Sequence, residues 1–261
     1  MTTVRIGVQT KSLRTPLRRA LATAGRLGAE GVQVDLRAEL PLAECSASAL
    51  REVRKLLGDH RLQAASVAFP TRRGYADPAE LDRRVAATRQ AMSVGADLGA
   101  RVLVAPVGAI PDDDASFDPL VETLTALALH GERVGARLAL RTGADADRLA
   151  TLLERLPDGV AGVDFHPAEV LRRGGSPGEA LPRFGPRVLH VTAADAVHDF
   201  SASRVVDVPL GRGTVDFPAL LAGLDGYEYR GWVTIERDES PDPAGEVGAA
   251  VEFLRTVLRE G

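Results

Sequence analysis

Polar and ionisable residues lie at the C-terminal ends of five sequence segments that alternate in the manner of strands. Residues two apart share one face of a strand, so their side chains can point into a common space. Burying many ionisable groups together is costly unless they pair with one another, bind a ligand or hold a metal ion. The sequence therefore predicts either a site for acid–base or ligand chemistry or a purely structural network of charges. The residues concerned are Gln33, Asp35, Arg141, Asp164, His166, His190, Thr192 and Glu236.

Eight strand-like segments alternate along the chain with eight segments of helical spacing. Short runs of β-branched residues indicate strands, and apolar residues three and four apart indicate helices. The predicted strands are 4–10, 31–37, 62–69, 101–107, 137–142, 160–166, 187–193 and 231–237. The predicted helices are 15–27, 46–57, 78–98, 117–134, 145–156, 177–184, 217–224 and 245–259.

This strict alternation predicts a parallel sheet, because each right-handed crossover helix returns the chain to the same edge. Eight repeats in 261 residues favour closure into an α/β fold, the (β/α)8 TIM barrel, as a single domain over residues 1–261. An open doubly wound sheet is disfavoured, since no glycine-rich phosphate-binding turn follows the first strand. A TIM barrel carries its reacting groups at the C-terminal ends of its strands, where the polar residues of this chain fall.

The composition is that of a globular chain, with 45% hydrophobic and 26% charged residues. A net charge of −4 argues against a nucleic-acid-binding protein, which would carry a basic surface. No apolar run is long enough for a membrane span, and the first residues lack a secretory signal, so we expect a cytoplasmic protein with no membrane partner. The single cysteine, Cys45, predicts neither a disulfide nor a zinc cluster.

Two predicted loops near the C-terminal ends of the strands are longer than a minimal barrel needs. They are residues 70–78 and 194–216, and long loops on this face often cover a ligand. Arg72 and Arg212 in these loops are predicted substrate-binding residues, and Arg73 is a further candidate. The alternative for each loop arginine is a solvated charge without a function.

The later part of the sequence carries motifs that occur together in one family. They read RVLHVTAADA at 187–196, PLGRGTVDF at 209–217 and YEYRGWVTIERDESPDP at 227–243. With these motifs the chain resembles the xylose isomerase-like TIM barrel superfamily over most of its length, most strongly from Leu138 onward. The resemblance implies the same barrel and an enzyme of the sugar or sugar-phosphate isomerase and epimerase type. It does not define one reaction, because one fold hosts many chemistries.

The resemblance also implies a divalent metal site, of which this chain keeps half. Members of the superfamily typically hold the metal with a Glu, an Asp, a His and a second Glu after successive strands. Here Arg141 stands in place of the first Glu and Thr192 in place of the His, whereas Asp164 and Glu236 remain. Two carboxylates beside an arginine make a poor site for manganese, cobalt or zinc. We therefore predict no metal and no other cofactor; if a divalent metal does bind, Asp164 and Glu236 are its expected ligands.

Glu236, Asp164, Arg141 and His166 are the predicted catalytic residues. The resemblance implies that the Glu236 carboxylate exchanges a proton at the carbon next to a carbonyl, and a partly desolvated pocket predicts a raised proton affinity. Arg141 either bridges the two carboxylates or contacts the substrate in place of the missing cation. His166 is either a general acid or base or a hydrogen-bonded structural histidine.

Gln33, Asp35 and His190 are predicted to bind substrate, with support of a neighbouring side chain as the alternative role of His190. Two functions remain open. The first is an isomerase, epimerase or related lyase that abstracts a proton from a small carbohydrate or sugar acid. The second is a sugar-binding or sugar-acid-binding homologue of the same fold that has lost catalysis. A multi-zinc endonuclease is disfavoured because three of the five histidines lie away from the strand ends. The resemblance leaves room for a homo-oligomer.

Overall fold

The computed structural model describes residues 4–142, 145–199 and 204–260. Eight parallel strands within them form a closed barrel. These strands are β1 (Arg5–Gln9), β2 (Gly31–Asp35), β3 (Gln63–Ala68), β4 (Val102–Pro106), β5 (Arg137–Arg141), β6 (Ala161–Phe165), β7 (Val188–Ala193) and β10 (Trp232–Ile235). They close in the order β1–β10–β7–β6–β5–β4–β3–β2. The predicted single-domain (β/α)8 TIM barrel is confirmed.

Helices surround the barrel and connect its strands. They are α1 (Leu17–Arg26), α2 (Ala47–Asp59), α3 (Leu81–Leu98), α4 (Asp114–Val134), α5 (Ala146–Arg155), α6 (Pro167–Arg172), α7 (Pro177–Phe184), α8 (Phe217–Gly226) and α9 (Pro243–Glu260). The eight predicted helices are all present, and α6 is an addition that begins at Pro167 directly after β6. No helix of the described ranges is long and apolar enough to cross a membrane.

Periodicity explains how these elements bury their apolar residues. On α4, Leu120, Leu124 and Leu127 recur at helical spacing and are fully buried against the barrel. Every residue of β6 is buried, because a parallel barrel strand is covered by side chains inside and by helices outside.

The segment 194–216 is not the plain loop that the sequence analysis predicted. It contains an antiparallel hairpin of β8 (Asp195–Asp199) and β9 (Arg204–Val208), with Val197 paired to Val206. β9 contains three β-branched residues, Val205, Val206 and Val208, whereas β8 contains one, Val197, which pairs with Val206. Residues 200–203 of the predicted loop lie outside the described residues.

A buried carboxylate fixes the base of this hairpin. The Asp195 side chain is 2% exposed and accepts backbone N–H groups of Gly211 and Gly213 at 3.0 and 2.8 Å. It also accepts the N–H groups of Val215 and Ala196 at 3.1 and 2.9 Å. Glycine is required at position 213, where an added Cβ atom would lie 2.0 Å from the carboxylate. One side chain therefore ties the hairpin to the PLGRG loop.

Replacing Asp195 with alanine is expected to lower the free energy of unfolding by about 3 kcal/mol or more. Four backbone N–H groups lose their acceptor, and each hydrogen bond to a charged group contributes roughly 1.5–3 kcal/mol. Urea unfolding followed by circular dichroism measures the change. Asp216→Ala is the comparison, since that carboxylate accepts a single N–H group, from Ala219. Equal losses in the two variants would contradict this role of Asp195.

The loop 70–78 packs against the loop that follows β4. Gly74 and Gly108 meet there backbone to backbone, since a Cβ atom added to Gly74 would lie 2.7 Å from the Gly108 Cα. Gly108 has a φ of +83°, a left-handed conformation that favours glycine. The buried Tyr75 side chain anchors the loop through a 3.0 Å hydrogen bond with the Thr88 hydroxyl on α3. These contacts hold the loop at the C-terminal end of the barrel.

Candidate active site

Arg141, the last residue of β5, joins two acidic side chains at the C-terminal end of the barrel. Its Nε donates to Asp164 Oδ2 at 2.9 Å, and its Nη1 lies 3.0 Å from Glu236 Oε2. Nη2 donates to the Thr192 hydroxyl at 3.2 Å. The side chain of Arg141 remains 22% exposed, whereas Asp164 is fully buried and Glu236 is 10% exposed. Arg141 thus forms the bridge that was one of its two predicted roles.

Asp164 is held as a carboxylate by donors on three sides. His190 Nδ1 donates to its Oδ1 at 2.7 Å, and the Thr192 hydroxyl donates at 2.8 Å. Burial raises the pKa of Asp164, but the charge of Arg141 and the His190 hydrogen bond outweigh burial and bring it to about 2. Asp164 therefore carries its negative charge at neutral pH.

Glu236 follows β10 and receives three donors. Gln9 Nε2 donates to Oε2 at 2.9 Å, and His166 Nε2 lies 3.3 Å from Oε1; Arg141 is the third. Burial raises the pKa of Glu236, but the charge of Arg141 and the His166 hydrogen bond place it well below its ordinary value. The predicted rise in proton affinity is thus wrong for this structure, because the arginine charge outweighs desolvation.

His166 is the N-cap of α6, and its partners assign its tautomer. Nδ1 accepts the backbone N–H of Glu169 at 3.2 Å, so the hydrogen of the neutral ring lies on Nε2 and points to Glu236. His166 therefore presents a hydrogen-bond donor at the carboxylate.

A layer of hydrogen-bonded side chains lies below the cluster. His190 Nε2 contacts the hydroxyls of Ser66 at 3.0 Å and Thr234 at 2.9 Å. Gln33 donates to Ser66 at 2.8 Å and accepts from Gln9 at 3.1 Å. His190, Ser66, Gln33 and Thr234 are all fully buried. His190 and Gln33 therefore support the cluster from below. Ser66 forms an Asp164–His190–Ser66 chain of contacts, but its buried hydroxyl is not accessible to a substrate.

Sequence reasoning missed Gln9, although Gln9 ends β1 in the same way that Arg141 ends β5. Glu39 was also missed. Its Oε2 accepts the Thr10 hydroxyl at 2.7 Å and the Asp35 N–H at 3.0 Å, and burial raises its pKa. The one sequence signal for Gln9 is its position as the last polar residue of β1. No sequence signal indicated Glu39, which lies in the turn after β2.

Three predicted substrate-binding residues lie apart from the cluster. The Asp35 carboxylate accepts the N–H groups of Arg37 and Ala38 at 2.8 and 2.9 Å, so it stabilises the turn after β2. Arg72 is exposed in the loop 70–78, and Arg212 is exposed in the loop after β9. The described residues show no contact from either arginine to Arg141, Asp164 or Glu236.

A cavity of about 610 Å³ opens beside the cluster. Arg141 is part of its wall, and the remaining wall comes from the end of β4 and from the segments that follow β4, β5 and β6, including residues of α5 and α6. The lining residues are Pro106, Val107, Gly108, Ala109, Ile110, Asp112, Arg141, Asp145, Arg148, Glu169 and Arg173. The exposed part of Arg141 therefore faces a space that can hold a small polar molecule.

The donor set of the cluster does not fit a divalent cation. Among the residues that the structure describes, no three His, Cys, Asp or Glu side chains are placed to hold a metal ion. The Arg141 guanidinium contacts both candidate carboxylates, so a cation between them would meet N–H groups and a positive charge. Thr192 offers a hydroxyl where the family pattern has an imidazole. The residues of this chain therefore disagree with the metal site that the resemblance implies.

Acid is expected to destabilise the protein strongly. The pKa values of Asp164 and Glu236 are lower in the folded chain than their ordinary values of 3.8 and 4.5, so the unfolded chain binds protons first as the pH falls. Stability should be complete above about pH 5 and decline through pH 4 towards 2. Urea unfolding at stepped pH measures this decline. Glu236→Gln, which lacks one of the two groups, should show a shallower decline, and a flat profile from pH 6 to 3 would contradict the two depressed pKa values.

The barrel, with its polar cluster at the C-terminal ends of the strands, defines the class of TIM barrel proteins that carry a ligand site on this face. A profile of the xylose isomerase-like TIM barrel family matches residues 21–257. The chain therefore belongs to the xylose isomerase-like TIM barrel family.

Individual relatives are distant. A xylose isomerase domain protein from Planctomyces limnophilus is 21% identical with a TM-score of 0.83, and the match covers 99% of this chain and 97% of that one. A D-allulose 3-epimerase from Methylomonas sp. is 19% identical with a TM-score of 0.78 over 98% and 99% of the two chains. The rhizopine catabolism protein MocC of Rhizobium meliloti is 29% identical over 119 residues, which is 40% of this chain and 35% of that protein. The match thus spans about a third of this curated relative.

Proposed function

We propose that the protein is a sugar isomerase or epimerase that abstracts a proton next to a carbonyl at a metal-free site. The contact of Arg141 with Glu236, next to His166, is the observation that carries this proposal, and Arg141 is the member of this cluster that lines the open cavity. The three side chains supply an electrophile, a base and a hydrogen-bond donor within one cluster. Sugar epimerases among the structural neighbours support this substrate class.

Arg141 takes the part of the electrophile. Its guanidinium carries a permanent charge, and its exposed portion can donate to a substrate carbonyl oxygen from the cavity. A substrate oxygen that draws N–H groups away from Glu236 removes part of the interaction that lowers the Glu236 pKa. Binding of the substrate therefore makes the carboxylate a stronger base.

Glu236 takes the proton from the carbon next to the carbonyl, and the electron pair of that C–H bond moves to the carbonyl oxygen. The N–H groups of Arg141 bind the resulting negative oxygen. His166 gives its Nε2 proton to that oxygen and receives the proton of the neighbouring hydroxyl, which becomes the new carbonyl. Glu236 then returns its proton to the adjacent carbon, which completes an isomerisation. An epimer forms if the intermediate turns over within the cavity before Glu236 returns the proton, which then reaches the opposite face of the original carbon.

One observation favours a second function, that of a catalytically inactive protein that binds a sugar or sugar acid. Arg141 forms ion pairs with both Asp164 and Glu236, so the charges of the cluster are already paired when no substrate is bound. Such a cluster can serve the stability of the fold alone. In that case the cavity binds a ligand, but no proton is exchanged.

Deuterium incorporation separates the two functions. Ketopentoses, ketohexoses, their phosphates and sugar acids are incubated with the protein in D₂O, and proton NMR follows the carbon next to the carbonyl. The proposed enzyme incorporates deuterium there, and Glu236→Gln lowers the rate by roughly a hundredfold to ten-thousandfold. The matched control, Glu122→Gln on the exposed side of α4, retains the rate. A ligand that raises the melting temperature but acquires no deuterium supports the inactive binding protein instead.

A further inference from the structure

A second cavity on the same face of the barrel is lined by arginines. It has a volume of about 540 Å³ and lies between the loops after β2 and β3 and the start of α3. We call it the arginine cavity. Its lining residues are Arg37, Phe69, Thr71, Arg72, Arg73, Glu80, Arg83, Arg84 and Ala87.

The arginine cavity carries a large excess of positive charge. Five arginines line it against one acidic residue, Glu80, which lies 3.7 Å from Arg83. Outside the lining, Asp77 pairs with Arg73 at 3.0 Å. Arg37 donates to the Pro70 carbonyl at 3.1 Å, and within the described ranges Arg72 makes no hydrogen bond or ion pair. At least three positive charges therefore remain without an acidic partner.

Two buried polar atoms of the lining also lack partners in the described structure. They are the Thr71 hydroxyl oxygen and the Nε of Arg84. The two Nη atoms of Arg84 donate to the Ala79 and Asp77 carbonyls, so its Nε is left over. A buried donor without an acceptor costs about 1–3 kcal/mol, and such a group calls for an explanation. Both groups can donate a hydrogen bond, so the lining residues of the arginine cavity include two donors without an acceptor.

We propose that the arginine cavity binds the phosphate group of a small phosphorylated molecule. A phosphate at neutral pH carries close to two negative charges and three accepting oxygens, which match an excess of guanidinium groups and a hydroxyl donor. A carboxylate brings one charge and two oxygens, and so leaves more of these donors unpaired. The volume admits a phosphate together with a small organic portion.

Two loops in contact with each other separate the arginine cavity from the candidate active site: the loop 70–78 and the loop after β4. Thr71, Arg72 and Arg73 of the loop 70–78 line the arginine cavity, and Gly74 of the same loop touches Gly108. Gly108 lines the 610 Å³ cavity beside Arg141. A phosphate in the arginine cavity therefore sits on the same face as the proposed reaction, but its binding does not depend on that reaction.

Isothermal titration of the full chain with inorganic phosphate at low ionic strength tests the proposal. The wild type should bind one phosphate per chain with saturation below roughly 10 mM. The variant Arg37→Gln/Arg72→Gln should weaken binding by about tenfold or more, since it removes two cations that have no acidic partner. Glu80→Gln should tighten binding, because it removes the one carboxylate of the lining. Arg133→Gln, in the last turn of α4 at the other end of the barrel, is the matched control and should leave binding unchanged.

Other results of these titrations would contradict the proposal. No saturable phosphate binding, or equal binding by the wild type and the double variant, overturns the proposal. Acetate binding as tight as phosphate binding overturns the assignment to phosphate, and a single-stranded oligonucleotide that binds more tightly overturns the assignment to a small molecule.

Circular dichroism melts of each variant establish that it is folded. Thr71→Val, which keeps the shape of threonine but lacks its hydroxyl, supplies a second test of weakened binding. Because all readouts are of binding, failure here leaves the deuterium experiment unaffected.

Discussion

Replacing Arg141 with alanine is expected to abolish deuterium incorporation and to lower the free energy of unfolding by about 3–5 kcal/mol. The substitution leaves Asp164 fully buried and Glu236 nearly so, with no cation between them. Loss of the electrophile removes turnover. The loss of turnover follows from the predicted catalytic role of Arg141, and its contacts with two buried carboxylates add the cost in stability.

Two variants make this test specific. Arg141→Lys keeps the charge but loses the planar fork that contacts both carboxylates, so its stability should lie between those of the wild type and the alanine variant. Arg148→Ala removes another arginine of the same cavity, whose acidic partner Asp112 is 96% exposed and which also donates to the Pro111 carbonyl, and should cost about 1–2 kcal/mol. If Arg141→Ala is as stable as Arg148→Ala, Arg141 does not hold the cluster together.

The double variant Arg141→Glu/Thr192→His is expected to gain a divalent cation. Position 141 adjoins Asp164 and Glu236, and the Thr192 hydroxyl contacts both Arg141 and Asp164, so the two substitutions complete the family's donor set around one point. Without metal, the added carboxylate repels its two acidic neighbours and should lower the melting temperature. A metal concentration of a hundred times the dissociation constant should raise the free energy of unfolding of the double variant by about 2.7 kcal/mol.

Elemental mass spectrometry and thermal melts with magnesium, manganese, cobalt or zinc measure this gain. We expect metal-dependent stabilisation of the double variant, reversal by a chelator, and loss of the effect when Glu236→Gln is added. The wild type should show no change in melting temperature. If the wild type instead binds stoichiometric metal, and the Glu236→Gln substitution abolishes that binding, Arg141 does not take the place of the cation.

The fold followed from the sequence because its signals are local and repeated. Short, mostly apolar strand segments alternate with helices of apolar spacing along the whole chain, so eight repeats reinforce one interpretation. The hairpin of β8 and β9 was missed because its strands lie within a stretch that also contains glycine, proline and serine. The helix α6 was missed because six residues are too few for a periodic pattern.

The site could be predicted as a set of residues but not as a set of contacts. Alternation within strands correctly brought Arg141, Asp164 and Glu236 together. It failed at Asp35, which lies at the end of β2, where the chain turns and the carboxylate meets backbone N–H groups instead of the cluster. The sign of the Glu236 pKa shift also required coordinates, because burial and a neighbouring guanidinium act in opposite directions and the distance decides which is larger.

The Asp195 carboxylate has a consequence for the entropy of the chain. Residues 194–216 form a long connection between a strand and its helix, and closing such a loop costs more conformational entropy than closing a short one. Asp195 lies at the start of this connection and contacts backbone groups up to 20 positions away near its end, so it joins the two ends of the loop, as a crosslink does. The crosslink consists of hydrogen bonds, so it forms with the fold and needs no oxidising compartment. Changes in the sequence of the hairpin outside these contacts should therefore leave the position of its base unchanged.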